Sequence, residues 1–325
     1  MLSSPGEQKR SAASESGGTK QSLVDSGCEP HPPHLYDHSD LATPRAFTDE
    51  DLVRNYDRDG FIVIEDAFSK CIREIHDALD RLCTGNNSDF GADVCEVASR
   101  PEPPDFTTGD RIPWVQYEAG TPVDVVRPLQ PQLTPKIRKL MGFSDYEPAI
   151  RAIVKDARLV HLVSRLLDCP AEELHLFQDM SLLKPPRGGR EKPWHQDKAF
   201  FNIGAERQVV GCWIAVNEAT LENACLRMQR GGHLLGPLHH FADRDYQICD
   251  TNSPCRDDVV AVPLRPGGLV LFDGMTPHGT PTNSSDKCRK ALQFHWVRRG
   301  VEMIKPDEPN GRTSVFGGDA NGASC

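Results

Sequence analysis

The chain has 325 residues, enough for one large domain or two small ones around a real hydrophobic core. Its 37 basic residues against 47 acidic ones leave a formal charge of −10, which excludes a whole-chain basic face and, with it, nucleic-acid binding by phosphate neutralisation. No apolar run approaches the length that spans a bilayer, and the opening MLSSPGEQKR lacks the apolar stretch of a secretory signal. The eleven cysteines form no CxxC and several sit in apolar runs, so they read as reduced, mostly buried thiols of a cytoplasmic protein, not as a zinc site.

Residues 1–44 carry Ser, Gly, Pro and Lys with few large apolar side chains, and read as a disordered tail that cannot bury enough surface to offset the entropy of ordering. Residues 45–300 are expected to form the folded domain. Residues 301–325 read as a second, flexible tail in which Val315 and Phe316 are candidates to dock. In FTDEDLVRNYDRDG, Thr48 with Asp51 three residues on has the form of a capping box, and Gly60 ends the helix. FIVIE follows as a strand by its β-branched content. In SKCIREIHDALDRLC, behind Ser69, Ile72, Ile75, Leu79 and Leu82 recur at spacings of three and four, which predicts an amphipathic helix with one buried face. Residues 84–125, rich in Gly, Asn, Pro and Asp, show no clear period and read as loops or an insertion. PAIRAIVKDARLVHLVSRLLD is the strongest helical signal, with Leu159, Leu162, Val163 and Leu166 on one face and Pro170 as the stop.

Beyond Pro170 the texture changes. ELHLFQDMSLLK alternates Leu174, Leu176, Met180 and Leu182, and QVVGCWIAV, CLRMQ, DVVAVPL, GLVLFDG and KALQFHWV are further short strands separated by the turn-rich NEATLENA, RGGH, RPGG and TPTNSSDK. Helices followed by many short strands predict a mainly β fold, an antiparallel sandwich or jelly roll with N-terminal α-helices packed on one sheet.

KPWHQDKAFFN places His195 and Asp197 two residues apart. At a strand end the two-residue period puts both on the same face. Two donors of mixed nitrogen and oxygen type need a third, and His278, in FDGMTPHGT just after an apolar strand, is the candidate. Two histidines and a carboxylate on one face of a metal leave positions open, as non-haem Fe(II) and oxygen chemistry requires. An HxD alone is a weak signal, and a histidine in a Pro/Gly turn is often an ordinary surface residue. Arg289 strengthens it, standing eleven residues past His278 in CRKALQFHW, where alternate residues point inward. A buried arginine is costly unless it meets an anion, and its planar fork can grip a carboxylate. A dicarboxylate such as 2-oxoglutarate meets both needs, with one end on the metal and the other on Arg289. Thr280 lies on the same side of an extended segment as His278 and can add a hydroxyl to the far carboxylate. The competing reading of Arg289 is a surface ion pair beside Asp286 and Lys287.

Taken together, HQD, His278 and Arg289 with its eleven-residue gap, GCWIAVNEATLENACL, RGGHLLGP in place of a Pro-Gly-Ser-His turn, and YDRDGFIVIEDAFS resemble the phytanoyl-CoA dioxygenase family of Fe(II)- and 2-oxoglutarate-dependent oxygenases. The likeness is to the branch of phytanoyl-CoA dioxygenase domain-containing proteins, and it covers about residues 45–300. It implies a double-stranded β-helix, cupin-like core. It also implies His195, Asp197 and His278 as iron ligands, Arg289 and Thr280 on the C5 carboxylate, and Trp213, Met180, Gln196 and Lys136 as further cosubstrate contacts. Core packing is the competing reading for Trp213 and Met180.

The cofactors implied are Fe(II), 2-oxoglutarate and O2, with ascorbate as a candidate reductant. The partner implied is a small-molecule substrate, an acyl-CoA among the candidates, with no nucleic acid and no membrane, on a monomer or weak oligomer. Asp197 stands where halogenase relatives carry a small residue, which favours hydroxylation. Desaturation, epoxidation or cyclisation with the same cofactors stays open, as does a catalytically idle metal- or metabolite-binding protein. The ending ASC does not resemble a peroxisomal Ser-Lys-Leu address. Lys184, Arg187, Arg190 and Lys192 read first as a solvated loop and second as a basic patch for acyl-CoA phosphates. His233, His239 and His240 are left open as substrate contacts, and Phe200 and Phe201 are expected to wall off water.

Overall fold

The computed structural model describes residues 34–35, 48–96, 111–118, 120–124, 127–201, 203–204, 208–242, 246–248 and 258–301. In chain order its first half comprises β1 (His34–Leu35), α1 (Asp49–Asp59), β2 (Phe61–Ile64), α2 (Ile72–Thr84), α3 (Ser88–Asp93), β3 (Cys95–Glu96), β4 (Trp114–Tyr117), β5 (Ile137–Met141), α4 (Pro148–Val154) and α5 (Ala157–Leu166). The strand-rich half follows with β6 (Leu174–Lys184), β7 (Lys192–His195), β8 (Val210–Ala215), β9 (Leu226–Gln229), β10 (His240–Ala242), β11 (Tyr246–Ile248), β12 (Val259–Val262), β13 (Leu269–Asp273), β14 (His278–Thr280) and β15 (Arg289–Arg298).

The large sheet has the order β2-β13-β8-β15-β6-β5-β4-β3, the small one β1-β12-β9-β14-β7, and β10 pairs with β11. All pairings are antiparallel except β1 with β12 and β3 with β4. The fold is the expected mainly β jelly roll, and its two layers follow from strand alternation. Along β15, Ala291 points between the sheets, where it joins Phe61, Val63, Trp213, Val270 and Phe272 of the large sheet and Met228, Val260 and Val262 of the small one. Leu292, Phe294 and Trp296 point the other way, into the layer formed with the helices.

The helices cover that outer face as their periodicity predicts. Thr48 caps α1, accepting from the Asp51 backbone while the Asp51 carboxylate accepts from the Thr48 backbone, and Gly60 closes it in the left-handed region at φ 81°. Ile75, Leu79 and Leu82 of α2 and Leu159, Leu162, Val163 and Leu166 of α5 are all buried against the sheet. No helix of the described residues is long and apolar enough to cross a membrane.

Two sequence expectations change. The stretch 148–168 is two helices, because Asp156 turns out of the first and caps the second, accepting from Arg158 N and Leu159 N. The region 84–125 is not only loop: β3 and β4 extend the large sheet, with Trp114 and Met141 paired across β4–β5. His34 and Leu35 lie within the expected N-terminal tail; the rest of residues 1–44 and the expected tail beyond Val301 lie outside the described residues.

Leu79 has no solvent exposure and sits where α2 meets the sheet. Leu79→Ala is expected to lower unfolding free energy by about 2–5 kcal/mol in a denaturant titration, through lost burial and the cavity it leaves.

Candidate metal centre and cosubstrate pocket

The small sheet brings the two histidines together. His195 is the last residue of β7 and pairs directly with His278 at the start of β14, so the rings stand side by side with centroids 4.3 Å apart. Asp197, two residues beyond His195, opens a 3-10 turn, Asp197–Phe200, and returns its carboxylate to the same spot. Its Oδ1 lies 3.2 Å from His195 Nε2 and 3.5 Å from His278 Nε2. A donor atom from each of the three lies within 4.8 Å of the others. Donors about 2 Å from one ion, at right angles, lie about 3 Å apart, so this set fits the face of a six-coordinate divalent metal.

The backbone fixes which nitrogen each histidine offers. His195 Nδ1–H donates to Pro193 O at 2.8 Å, and His278 Nδ1–H donates to Thr276 O at 2.9 Å. A carbonyl can only accept, so both Nε2 lone pairs are left for the metal. Burial, then His278 and Lys192, push His195 down to about 4, so it is neutral near physiological pH. Burial acts to raise Asp197, but His278 and His295, with the hydrogen bond from His295 Nε2, overcome it and hold the carboxyl well below its usual range.

The far oxygen of Asp197 is held from the opposite sheet. Gln293 Nε2 and His295 Nε2 each donate to Oδ2 at 2.8 Å. Both residues lie on the inward face of β15, where Arg289, Ala291, Gln293 and His295 alternate with the helix-facing positions. Sequence reasoning missed this pair. The signal was present in QFH, two polar side chains at inward positions of an otherwise apolar strand. Gly211 stands between His295 and Phe272 in register on β15–β8–β13, and a Cβ there would run into the Phe272 ring. Its bare position lets Phe272 pack 4.9 Å from the His278 ring. Phe200 packs 5.7 Å from His195, and Phe201 packs 5.0 Å from His295.

Arg289, the largest expected anchor, is 1% exposed. Its guanidinium donates to Leu182 O at 3.1 Å and lies 5.6 Å from the Trp213 ring. No carboxylate pairs with it among the described residues, and burial pushes it down to about 10. Arg289 Nε and Trp213 Nε1 are both buried without an acceptor. Buried donors of this kind are rare, and a carboxylate ligand would satisfy them. Met180, Gln293 and Trp213 stand in one cross-strand row beside them, and Thr280 is buried on β14 opposite Lys192.

Other expected residues sit differently. Gln196 faces away from the triad. Its amide donates to Gly236 O and Met275 O, its Oε1 accepts from Leu238 N, and its backbone N–H donates to His240 Nε2, so it braces the HQD segment. His240 is thereby structural, His239 is exposed, and His233 lies 3.1 Å from Asp57 O at the end of α1. Lys136 is exposed at the end of a 3-10 turn, whereas Lys139 is buried on β5 in register with Leu182. The basic loop does not form one patch: Lys184 is buried, Arg187 pairs with Asp286, Arg190 is exposed, and Lys192 lies over Phe200.

Residues 56–291 match the family profile described as phytanoyl-CoA dioxygenase (PhyH). The phytanoyl-CoA dioxygenase domain-containing protein 1 of Danio rerio is 26% identical, the alignment covering 80% of this chain and 93% of that one. The corresponding homolog of Caenorhabditis briggsae is 24% identical over 77% of this chain and 91% of its own. The crystal structure of EvdO2 from Micromonospora carbonacea var. aurantiaca, also solved with 2-oxoglutarate, is 26% identical and superposes with a TM-score of 0.57, covering 82% of this chain and 98% of that one.

His295→Leu removes one of the two donors to Asp197 Oδ2. It is expected to weaken Mn(II) binding about 10- to 100-fold by titration calorimetry, with the circular dichroism of the fold kept. Proton linkage gives a second expectation. His195 binds its proton near 4 in the fold against about 6.5 unfolded, so between those values the unfolded chain holds more protons and stability falls as pH is lowered. Denaturation of metal-free protein at about pH 7 and pH 5 should show a loss of about 2 kcal/mol that His195→Gln largely removes.

Proposed function

The chain belongs to the phytanoyl-CoA dioxygenase family, and from that membership we propose that it hydroxylates a C–H bond of a small molecule at an iron held by His195, Asp197 and His278. It is a 2-oxoglutarate-dependent oxygenase, with Fe(II) and 2-oxoglutarate as cofactors. The observation that carries the site assignment is the convergence of the three donors, with both Nδ1 atoms and the second carboxylate oxygen already occupied by protein partners.

Iron bound there supplies the oxidation chemistry, in which O2 and 2-oxoglutarate give succinate and CO2 with one oxygen atom delivered to the substrate. The chain's own residues bind, orient and exclude water. Pro193 O and Thr276 O hold the two imidazoles with Nε2 inward. Gln293 and His295 keep Asp197 ionised and presenting a single oxygen. Arg289 grips the distal carboxylate of 2-oxoglutarate, with Thr280 adding a hydroxyl and Trp213 Nε1–H a further donor. Met180 packs in the same row. Lys139 takes the role expected of Lys136, since it is the buried lysine of that segment. Phe200, Phe201 and Phe272 surround the donors with apolar surface, which strengthens electrostatic contacts and protects the reaction from water.

Asp197 fills the position that a halide would need, so hydroxylation is favoured over halogenation. Dispersal of the basic loop supports a small molecule over an acyl-CoA, whose phosphates call for clustered cations.

Given Fe(II), 2-oxoglutarate and air, the purified protein should form succinate even without its substrate, and Asp197→Ala should reduce this to background. Succinate formation that survives Asp197→Ala would remove the triad from the reaction. Arg289→Lys should raise the Kd for 2-oxoglutarate about tenfold or more while leaving Mn(II) affinity within about twofold, because a point charge cannot replace the two-pronged grip.

A further inference from the structure

Lys184 and Arg289 face each other directly across β6–β15, so their side chains leave the large sheet on the same side. Both are buried, at 5% and 1% exposure, and neither forms an ion pair with a carboxylate among the described residues. Two cations side by side in an interior repel each other, and each resists desolvation.

The hydrogen bonds of Lys184 suit a neutral amine. Its Nζ donates to Arg190 O at 2.7 Å and to Pro281 O at 2.6 Å. A neutral amine has two N–H donors and one lone pair; an ammonium has a third N–H that needs an acceptor. The charged groups around it divide unequally. Arg289 faces it from β15 and opposes its charge, Glu118 beyond β4 and Glu191 before β7 favour it, and Lys139 of β5 lies on the same inward face two positions along. Burial first, then Arg289, push the Lys184 ammonium down to about 6.

We propose that Lys184 is a further cation of the distal-carboxylate site and is charged on demand: the anion that binds Arg289 draws a proton from solvent onto the Lys184 amine, whose third N–H then donates to that anion. This rests on the reading of Arg289 as the anchor for 2-oxoglutarate. It adds that cosubstrate binding takes up a proton. Lys184 also holds backbone on two segments that lead to metal donors. The carbonyls that it holds belong to Arg190, in the loop that leads into β7 with His195, and to Pro281, three residues past His278.

The test is titration calorimetry of 2-oxoglutarate into the full chain saturated with Mn(II), which blocks turnover. At about pH 7.5 it is run in HEPES and in Tris, buffers with different heats of ionisation. The expected result is a buffer-dependent heat equal to uptake of about one proton per ligand, shrinking as pH is lowered past about 6. Lys184→Met should lose the uptake and bind about tenfold more weakly. Lys184→Arg, which keeps a fixed charge, should bind within a few-fold of the parent with no uptake, and so separates charge from folding. Binding without proton uptake in the parent, or uptake retained in Lys184→Arg, would overturn the inference and leave the cosubstrate reading intact. Absence of binding in the parent would overturn both.

Discussion

A carboxylate inside a protein stays ionised only if its surroundings outweigh burial, which on its own favours the neutral acid. Asp197 meets that condition from two sides. One oxygen faces His195 and His278, both on the small sheet; the other accepts from Gln293 and His295 on the large sheet. The residue therefore joins the two layers of the jelly roll at the point where the three donors meet. Taking away either side would leave a buried charge short of partners, a far larger loss than any one hydrogen bond is worth.

Much of the fold serves that junction. The register of β7 with β14 sets His195 against His278, and Gln196 anchors the intervening turn to Gly236, Leu238 and Met275. Gly211 leaves room between His295 and Phe272, so that polar clamp and apolar wall can sit in the two strands that flank β8. On the other face of the same sheet, α2 and α5 fix β15 through Leu292, Phe294 and Trp296. The inward face of β15 then carries, along one strand, the buried Arg289 to which the cosubstrate anion is assigned by proposal, and Gln293 and His295, which hold the Asp197 carboxylate.

The sequence revealed the parts whose chemistry is local. HxD at a strand end, an isolated histidine after an apolar strand, and an arginine at an inward position each carry meaning within a few residues, and the structure brings His195, Asp197 and His278 together as that pattern predicts. Capping at Thr48 and Gly60 was equally legible because caps are local chemistry. What was hidden depends on pairing across the sheet. Lys184 looked like one more charge in a basic loop; only its register opposite Arg289 shows it to be interior. That Lys139 is buried on β5 while Lys136 is exposed was equally hidden, because a three-residue difference in register cannot be read without the β5–β6 ladder. Gln196, taken with the cosubstrate contacts, points the other way for the same reason that His195 and Asp197 agree: a period of two turns the middle residue to the opposite face.

In the proposed reaction one metal at His195, Asp197 and His278 is chelated by the same 2-oxoglutarate whose far end Arg289 holds. Anaerobic addition of 2-oxoglutarate to the Fe(II)-loaded chain reads both ends of that arrangement, because chelation of Fe(II) by a 2-oxo acid produces a visible charge-transfer band. The band is expected in the parent protein, with its loss in His278→Ala and a higher 2-oxoglutarate concentration for half-saturation in Arg289→Lys. A parent protein that binds both components and stays colourless, or a band unchanged without His278, would contradict it.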